Sequence, residues 1–410
     1  MKLLILSIDA MFSEQAARLQ TRPALAPFFR HCLTALNIRA VYPALTYPCH
    51  ASILSGNPPS VHGIYQNVTC VPNAREKAWN WDYGLLRCRT LMDAFRGAGW
   101  RSASIMWPVS ANAPVDYLVP EIWSYTEDPV QVMTASSNGK AGHIIARHRE
   151  DVDFSSKWKL DRFAKDCAID IAEEFDPDVM FLHFSLVDHA RHRYGIRHAR
   201  VEKAFDQCAA WLEEILSHIS GEGLTLAVLG DHGHLNCRGK ISLNGLFVRQ
   251  GWAPDPLPGS MAQCRAFCHG AGVSAQVYVN DSSLRPELET LFEALREQGY
   301  LWNWYTREAV RQYGLDGPFD YVLEGGEEYF FTDEILPQFL TLTPAADGGC
   351  FVGKHGHFPL RGERPPFLLS SPGIESRTLS DHSILDIAPT LTELFHLPAF
   401  PMAGSSLLRL

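Results

Sequence analysis

The chain contains no apolar run approaching the roughly 18 residues that a membrane-spanning helix requires, so no such helix is expected. It also lacks an excess of positive charge. Its 36 Lys and Arg stand against 46 Asp and Glu, a formal net charge of −10. That balance argues against a nucleic-acid polymer as partner, because phosphate backbones are held by clustered cations. A small phosphate ester remains compatible, since bound metal ions can supply local positive charge. There is no internal repeat and no low-complexity tract. The N-terminal MKLLILSIDA lacks the apolar core of an export signal and runs directly into an aspartate. Ten cysteines in 410 residues without such a signal suggest reduced thiols and a cytoplasmic protein. No cysteine is followed six positions later by arginine, which excludes a cysteine-phosphatase loop. GGCFVGKH nearly spells a phosphate-binding loop, but His355 stands where Ser or Thr would hold magnesium.

What the chain does contain is a packed soluble composition, 46% hydrophobic and 20% charged. Strand-like and helix-like patterns alternate through its first half. KLLILSI, TALNIRAVY, RSASIMW, DVMFLHFS and TLAVLGD read as strands. LAPFFRHC, TLMDAFRGAG, WKLDRFAKDCAIDIAEEF and residues 198–218 read as helices. This alternation predicts an α/β fold with a mostly parallel central sheet sandwiched by helices. The stretch 243–345 changes character and reads as an inserted α+β cap, with AQVYVND as a half-exposed strand. The core is then 1–242 together with 346–410. The irregular segment 108–130 is of the length that often lines a site.

Three of the apolar runs end on aspartate, at Asp9, Asp188 and Asp231. In an open α/β sheet, ligands bind outside the carboxyl ends of the strands, so three strand-terminal carboxylates would meet in one crevice. His192 follows Asp188 at four residues, and His232 follows Asp231 directly. Carboxylates mixed with imidazoles are a divalent-cation ligand set. Thr46 stands just before an apolar helical stretch, either as an N-cap or as a hydroxyl where exposed N–H groups and the helix dipole favour an anion. His355 and His357 lie in a glycine-rich segment, where one imidazole would complete a second metal's shell. Cys264, Cys268 and His269 supply only three local zinc-type donors and read as packing. The aromatics of 79–83 and 302–305 would line either a pocket or the core.

The ordered set Asp9, TYPCHASILSG with Thr46, Asp188-x-x-x-His192, Gly-Asp231-His232-Gly and Gly-Lys-His355-Gly resembles the alkaline phosphatase superfamily. Within it, the nucleotide pyrophosphatase/phosphodiesterase branch is the nearest likeness. The resemblance implies two divalent metals, zinc with manganese as the alternative. One would be held by Asp188, His192 and His355, the other by Asp9, Asp231, His232 and Thr46. Asn67 matches the family's asparagine that binds a non-bridging phosphoryl oxygen. Thr46 would attack phosphorus to give a covalent phosphothreonine. The implied substrate is a small-molecule phosphate diester. A phosphonate hydrolase or phosphomonoesterase would use the same threonine and metals. A metal-dependent mutase of the phosphoglycerate type shares the core, but such enzymes usually present serine at the nucleophile position. The chain departs from the family around Tyr47-Pro48-Cys49-His50 and at Gly233-His234, where many members have Gly-Met.

Overall fold

The computed structural model describes residues 1–70, 78–123, 127–219 and 223–409. Its centre is an eight-stranded sheet. Numbered in chain order within that sheet, the strands are β1 (Leu3–Ile8), β2 (Cys32–Leu36), β3 (Ser102–Ile105), β4 (Tyr117–Val119), β5 (Val179–Phe184), β6 (Thr225–Leu229), β7 (Phe367–Ser370) and β8 (Arg377–Ser380). They lie in the order β8-β2-β7-β6-β1-β5-β3-β4, and only β7 runs against the rest. The expected mostly parallel sheet is therefore present.

Along the central strands, alternate residues enter two different cores, because successive side chains of a strand point to opposite faces. Leu4, Leu6, Met180, Leu182, Leu226 and Val228 pack on one face. The helices there are α2 (Lys157–Phe175) and α4 (Ala199–Ile219). Leu3, Ile5, Val179, Phe181, Ala227 and Leu229 pack on the other. That face is covered by α1 (Thr46–Ser55) and α6 (Ile387–Leu394). Helices on both faces explain why these strands read as unbroken apolar runs.

A four-stranded antiparallel sheet, Ala266–Ala271, Ser274–Val279, Tyr321–Gly325 and Leu301–Thr306 in spatial order, forms a second unit with its own core. Its helix is α5 (Arg285–Glu297), whose Leu288, Phe292 and Leu295 face that core.

Three local expectations differ from the structure. Leu25–Phe29 is a series of turns rather than a helix, Cys32 already begins β2, and the helix lies upstream at Ser13–Thr21. Pro27 falls inside the expected helix and removes a backbone donor. Ser274–Val279 is not half exposed, because its polar side is turned against the segment that carries Tyr65. Gln276 is 1% exposed and donates to the Tyr65 carbonyl at 3.0 Å. Finally, Asp188 is not strand-terminal. β5 stops at Phe184, and Asp188 lies in the first turn of α3 (Leu186–Tyr194).

Candidate metal centre

The middle of the sheet, β6-β1-β5, brings three parallel carboxyl ends side by side. Asp9 follows β1 directly, and Asp231 follows β6 after one glycine. On the third strand, Asp161 of α2 supplies what Ser185 does not. Its carboxylate accepts from the Ser185 N–H at 3.0 Å and the Leu186 N–H at 2.8 Å. This caps α3 from a distance and fixes the helix on which Asp188 and His192 share a face at four-residue spacing.

Two groups of donors result. Asp188, His192, His234 and His355 each bring one ligand atom within 4.8 Å of all the others. Asp9, Asp188 and His232 do the same. In the second group His232 Nε2 lies 3.2 Å from Asp9 Oδ1 and 3.3 Å from Asp231 Oδ2. Those two carboxylate oxygens are buried without a hydrogen-bond partner. Burial, followed by the neighbouring Asp231, pushes the Asp9 carboxyl well above its ordinary range. Such a crowded pair of carboxylates calls for a cation, and the donor set fits a divalent metal. His192, His234 and His355 are pushed well below the usual histidine range, chiefly by burial. They are neutral imidazoles, the form that ligates metal.

Thr46 occupies the first turn of α1, and the capping position is Leu45, so the N-cap reading of Thr46 does not apply. Its Oγ1 lies 3.1 Å from His232 Nε2 and 3.5 Å from Asp9 Oδ2. Asn67 accepts the Tyr47 N–H on Oδ1 at 2.9 Å. That contact assigns the amide and leaves Nδ2 as a donor. His50 and His62 hold the surroundings. His50 bridges the Thr46 carbonyl at 2.8 Å and Ser7 Oγ at 2.9 Å, and His62 bonds Ser52 Oγ at 2.9 Å.

Two histidines near these clusters carry roles the sequence did not reveal. His234 Nε2 sits 2.8 Å from Asp188 Oδ1, closer than His192 at 3.4 Å or His355 at 3.8 Å. Its signal was the i, i+2 spacing from His232 across Gly233, which places both rings on one side of an extended segment. His183, in mid-β5, lies with Nε2 3.3 Å from Asp9 Oδ2 and Nδ1 3.1 Å from the Met106 carbonyl. No local pattern marked it. Arg191, by contrast, touches no site donor. It is fully buried and donates to the Ala10 carbonyl and the Gln15 side chain.

A cleft of about 420 Å³ opens from these clusters toward the second unit. Asn67, Trp79, His192, Lys354, His355 and Phe330 are among its walls. His355 is fixed at this junction. Its carbonyl accepts the Val273 N–H at 2.8 Å, and the following Gly356 N–H donates to the Ala44 carbonyl at 2.7 Å. Gly356 has φ +85°, and a Cβ there would lie 1.7 Å from the Ala271 oxygen. Only glycine permits that approach. Of the aromatics considered, Trp79 faces the cleft, whereas Trp302 and Tyr305 pack on Phe358.

A strand-end crevice that gathers carboxylates and neutral imidazoles around one helix-terminal hydroxyl belongs to the metal-dependent hydrolases of phosphoric esters. More specifically, the chain is a member of the type I phosphodiesterase / nucleotide pyrophosphatase family, whose model matches residues 3–357. That places it in the alkaline phosphatase superfamily. Among solved structures it is similar to human ectonucleotide pyrophosphatase / phosphodiesterase 5 (TM-score 0.68, 16% identity, 99% of this chain and 97% of that one). The murine counterpart gives TM-score 0.67 at 16% identity, covering 99% and 98%, and an inactive form of it has been solved with AMP. Phosphonoacetate hydrolase from Sinorhizobium meliloti 1021, in complex with phosphonoacetate, gives 0.66 at 20% identity, covering 94% and 93%. At these identities the structural likeness bears on the fold alone.

Proposed function

We propose that the protein is a two-metal phosphodiesterase or nucleotide pyrophosphatase that works through Thr46. The observation that carries this reading is the position of Thr46 Oγ1, 3.1 Å from His232 Nε2 in the Asp9 group. Asp188, His192 and His355 would hold one divalent ion, zinc or manganese, and Asp9, Asp231, His232 and Thr46 the other. When bound, the ions supply Lewis-acid stabilisation of charge on the attacking and departing oxygens.

The residues then divide the work. Thr46 Oγ1 attacks phosphorus and the ester oxygen opposite departs, leaving a phosphothreonine. Asp9 Oδ2, 3.5 Å away, is an acceptor for the threonine proton. Water cleaves the phosphothreonine and regenerates the hydroxyl. Asn67 Nδ2 donates to a non-bridging oxygen, where charge resides in the transition state. The cap, 243–345, forms one wall of the cleft and is proposed to select the leaving group. The ten free cysteines support a reducing, cytoplasmic setting.

A phosphonate hydrolase, using the same threonine and metals, is the second reading. The cation in the cleft wall is Lys354, whose Nζ lies 3.5 Å from His192 Nδ1 and 4.9 Å from the Phe330 ring centroid. Metal analysis paired with hydrolysis of bis(p-nitrophenyl) phosphate, p-nitrophenyl phosphate and phosphonoacetate decides between them. About two metals and chelator-sensitive preference for the diester are expected. Turnover of phosphonoacetate alone would select the second reading.

Two variants test individual roles. Asn67→Ala should lower the single-turnover rate by roughly 10²–10³, as for other oxyanion donors, whereas a change confined to KM would make it a ground-state contact. His234→Ala should weaken metal affinity at the Asp188 cluster by about 10–100-fold, through loss of its hold on that carboxylate. Chelator competition measures this, and an unchanged affinity would make the contact incidental.

A further inference from the structure

His269, one of three local zinc-type donors in the sequence with Cys264 and Cys268, has unusual surroundings. It is 3% exposed on the strand Ala266–Ala271 of the second unit. Nδ1 is 2.8 Å from Asp333 Oδ2, and Nε2 is 3.3 Å from the Val68 carbonyl. A carboxylate and a carbonyl can only accept. Both ring nitrogens must therefore carry protons to satisfy both contacts, which makes the ring an imidazolium. Asp333 is its counter-charge, and the second Asp333 oxygen takes the Gly270 N–H at 2.6 Å. The titratable groups facing the ring are Asp333 and the Cys70 thiol. Burial opposes the charge, but Asp333 and Cys70 outweigh it and push the ring up to about 10.

The residues that the same strand grips are the two neighbours of Asn67. Gln66 Nε2 donates to the Gly270 carbonyl at 3.3 Å, and His269 takes the Val68 carbonyl. Gln66 Oε1 in turn accepts the Asn67 N–H at 3.0 Å. Asn67 is thus suspended between two contacts from the second unit, while its Oδ1 is engaged by Tyr47 N–H. Of the two contacts, the one through His269 is charge-assisted and so the stronger.

We propose that His269, held as an imidazolium by Asp333, is the positioning residue for Asn67, clamping Val68 so that the Asn67 Nδ2 faces the phosphoryl oxygen. The inference rests on the reading of Asn67 given above. It gives the second unit a part in the chemistry besides walling the cleft. Misplacement of a catalytic donor by about an ångström can cost up to about 10² in rate, so the effect is measurable.

The test is a double-mutant cycle on the metal-loaded enzyme with bis(p-nitrophenyl) phosphate. His269→Gln should lower kcat by about 10–100-fold with little change in KM, metal content or Tm. In the Asn67→Ala background the same change should cost nothing further, because both act through one contact. Equal losses from His269→Gln with and without Asn67, or no loss at all, would overturn the positioning role while leaving Asn67 in place. No loss from Asn67→Ala would instead overturn the reading beneath it. Should His269→Gln fail to fold, Asp333→Asn serves. Without its counter-charge the ring deprotonates at lower pH, so kcat should fall as pH rises through the neutral range, and this limb should vanish in Asp333→Asn/Asn67→Ala. Long-range 1H–15N spectra of the wild-type holoenzyme should show an imidazolium at pH 8, and a neutral tautomer there would refute the clamp.

Discussion

Thr46→Ala should abolish turnover of a diester, by about 10⁴-fold or more, the range seen when a covalent nucleophile is removed. The fold should survive. Thr46 is 8% exposed at the start of α1, and losing one hydroxyl and one methyl group costs on the order of 1 kcal/mol. Metal content should change little, because Asp9, Asp231 and His232 remain. Thr46→Ser, which keeps the oxygen, should recover a measurable fraction of the rate. Quenching a wild-type reaction in acid and mapping the labelled peptide should place phosphate on Thr46. Near wild-type activity in the alanine variant would remove it from the nucleophile role.

The second large effect concerns the metals. Asp231→Asn keeps an acceptor for the Ala10 N–H, which Oδ1 takes at 3.0 Å, but loses the charge aimed between Asp9 and His232. His355→Ala removes a ligand from the other cluster. Each variant should retain about one equivalent of metal instead of two, since affinity depends on a complete ligand set. The double variant should bind neither ion firmly. Elemental analysis after dialysis reads this directly. Unchanged stoichiometry in both single variants would dismantle the proposed ligand sets.

Much of this fold was legible because its period is simple. Leu3–Ile8 and Thr225–Leu229 are buried on both faces, so their composition is apolar without alternation, and the aspartates that follow them, Asp9 and Asp231, stand at the crevice. His192 could be paired with Asp188 by its four-residue spacing alone, and the helix that puts the two on one face appears only in the structure. His183 and Asp161 could not be found this way. His183 is one residue within a six-residue buried strand, and its meaning comes from Asp9 on the neighbouring strand. Asp161 reads as an ordinary helical charge until α3 is seen to begin against it. Glu121 is similar. It is buried beside Tyr47, where desolvation pushes its carboxyl up to about 8, but nothing in the irregular segment around it singles it out. Pattern reading sees contacts along one element, and these three act between elements.

The order of the donors along the chain has a consequence for biosynthesis. Asp9, Thr46, Asp231 and His232 all precede the inserted unit, whereas His355 follows it. On the proposed ligand sets, a growing polypeptide would have every donor for one ion in hand roughly 120 residues before the other cluster could close, a delay of about 6–24 seconds at ordinary elongation rates of about 5–20 residues per second. Loading of the two ions would then be staggered by translation itself, the later one waiting until the intervening strands have been made.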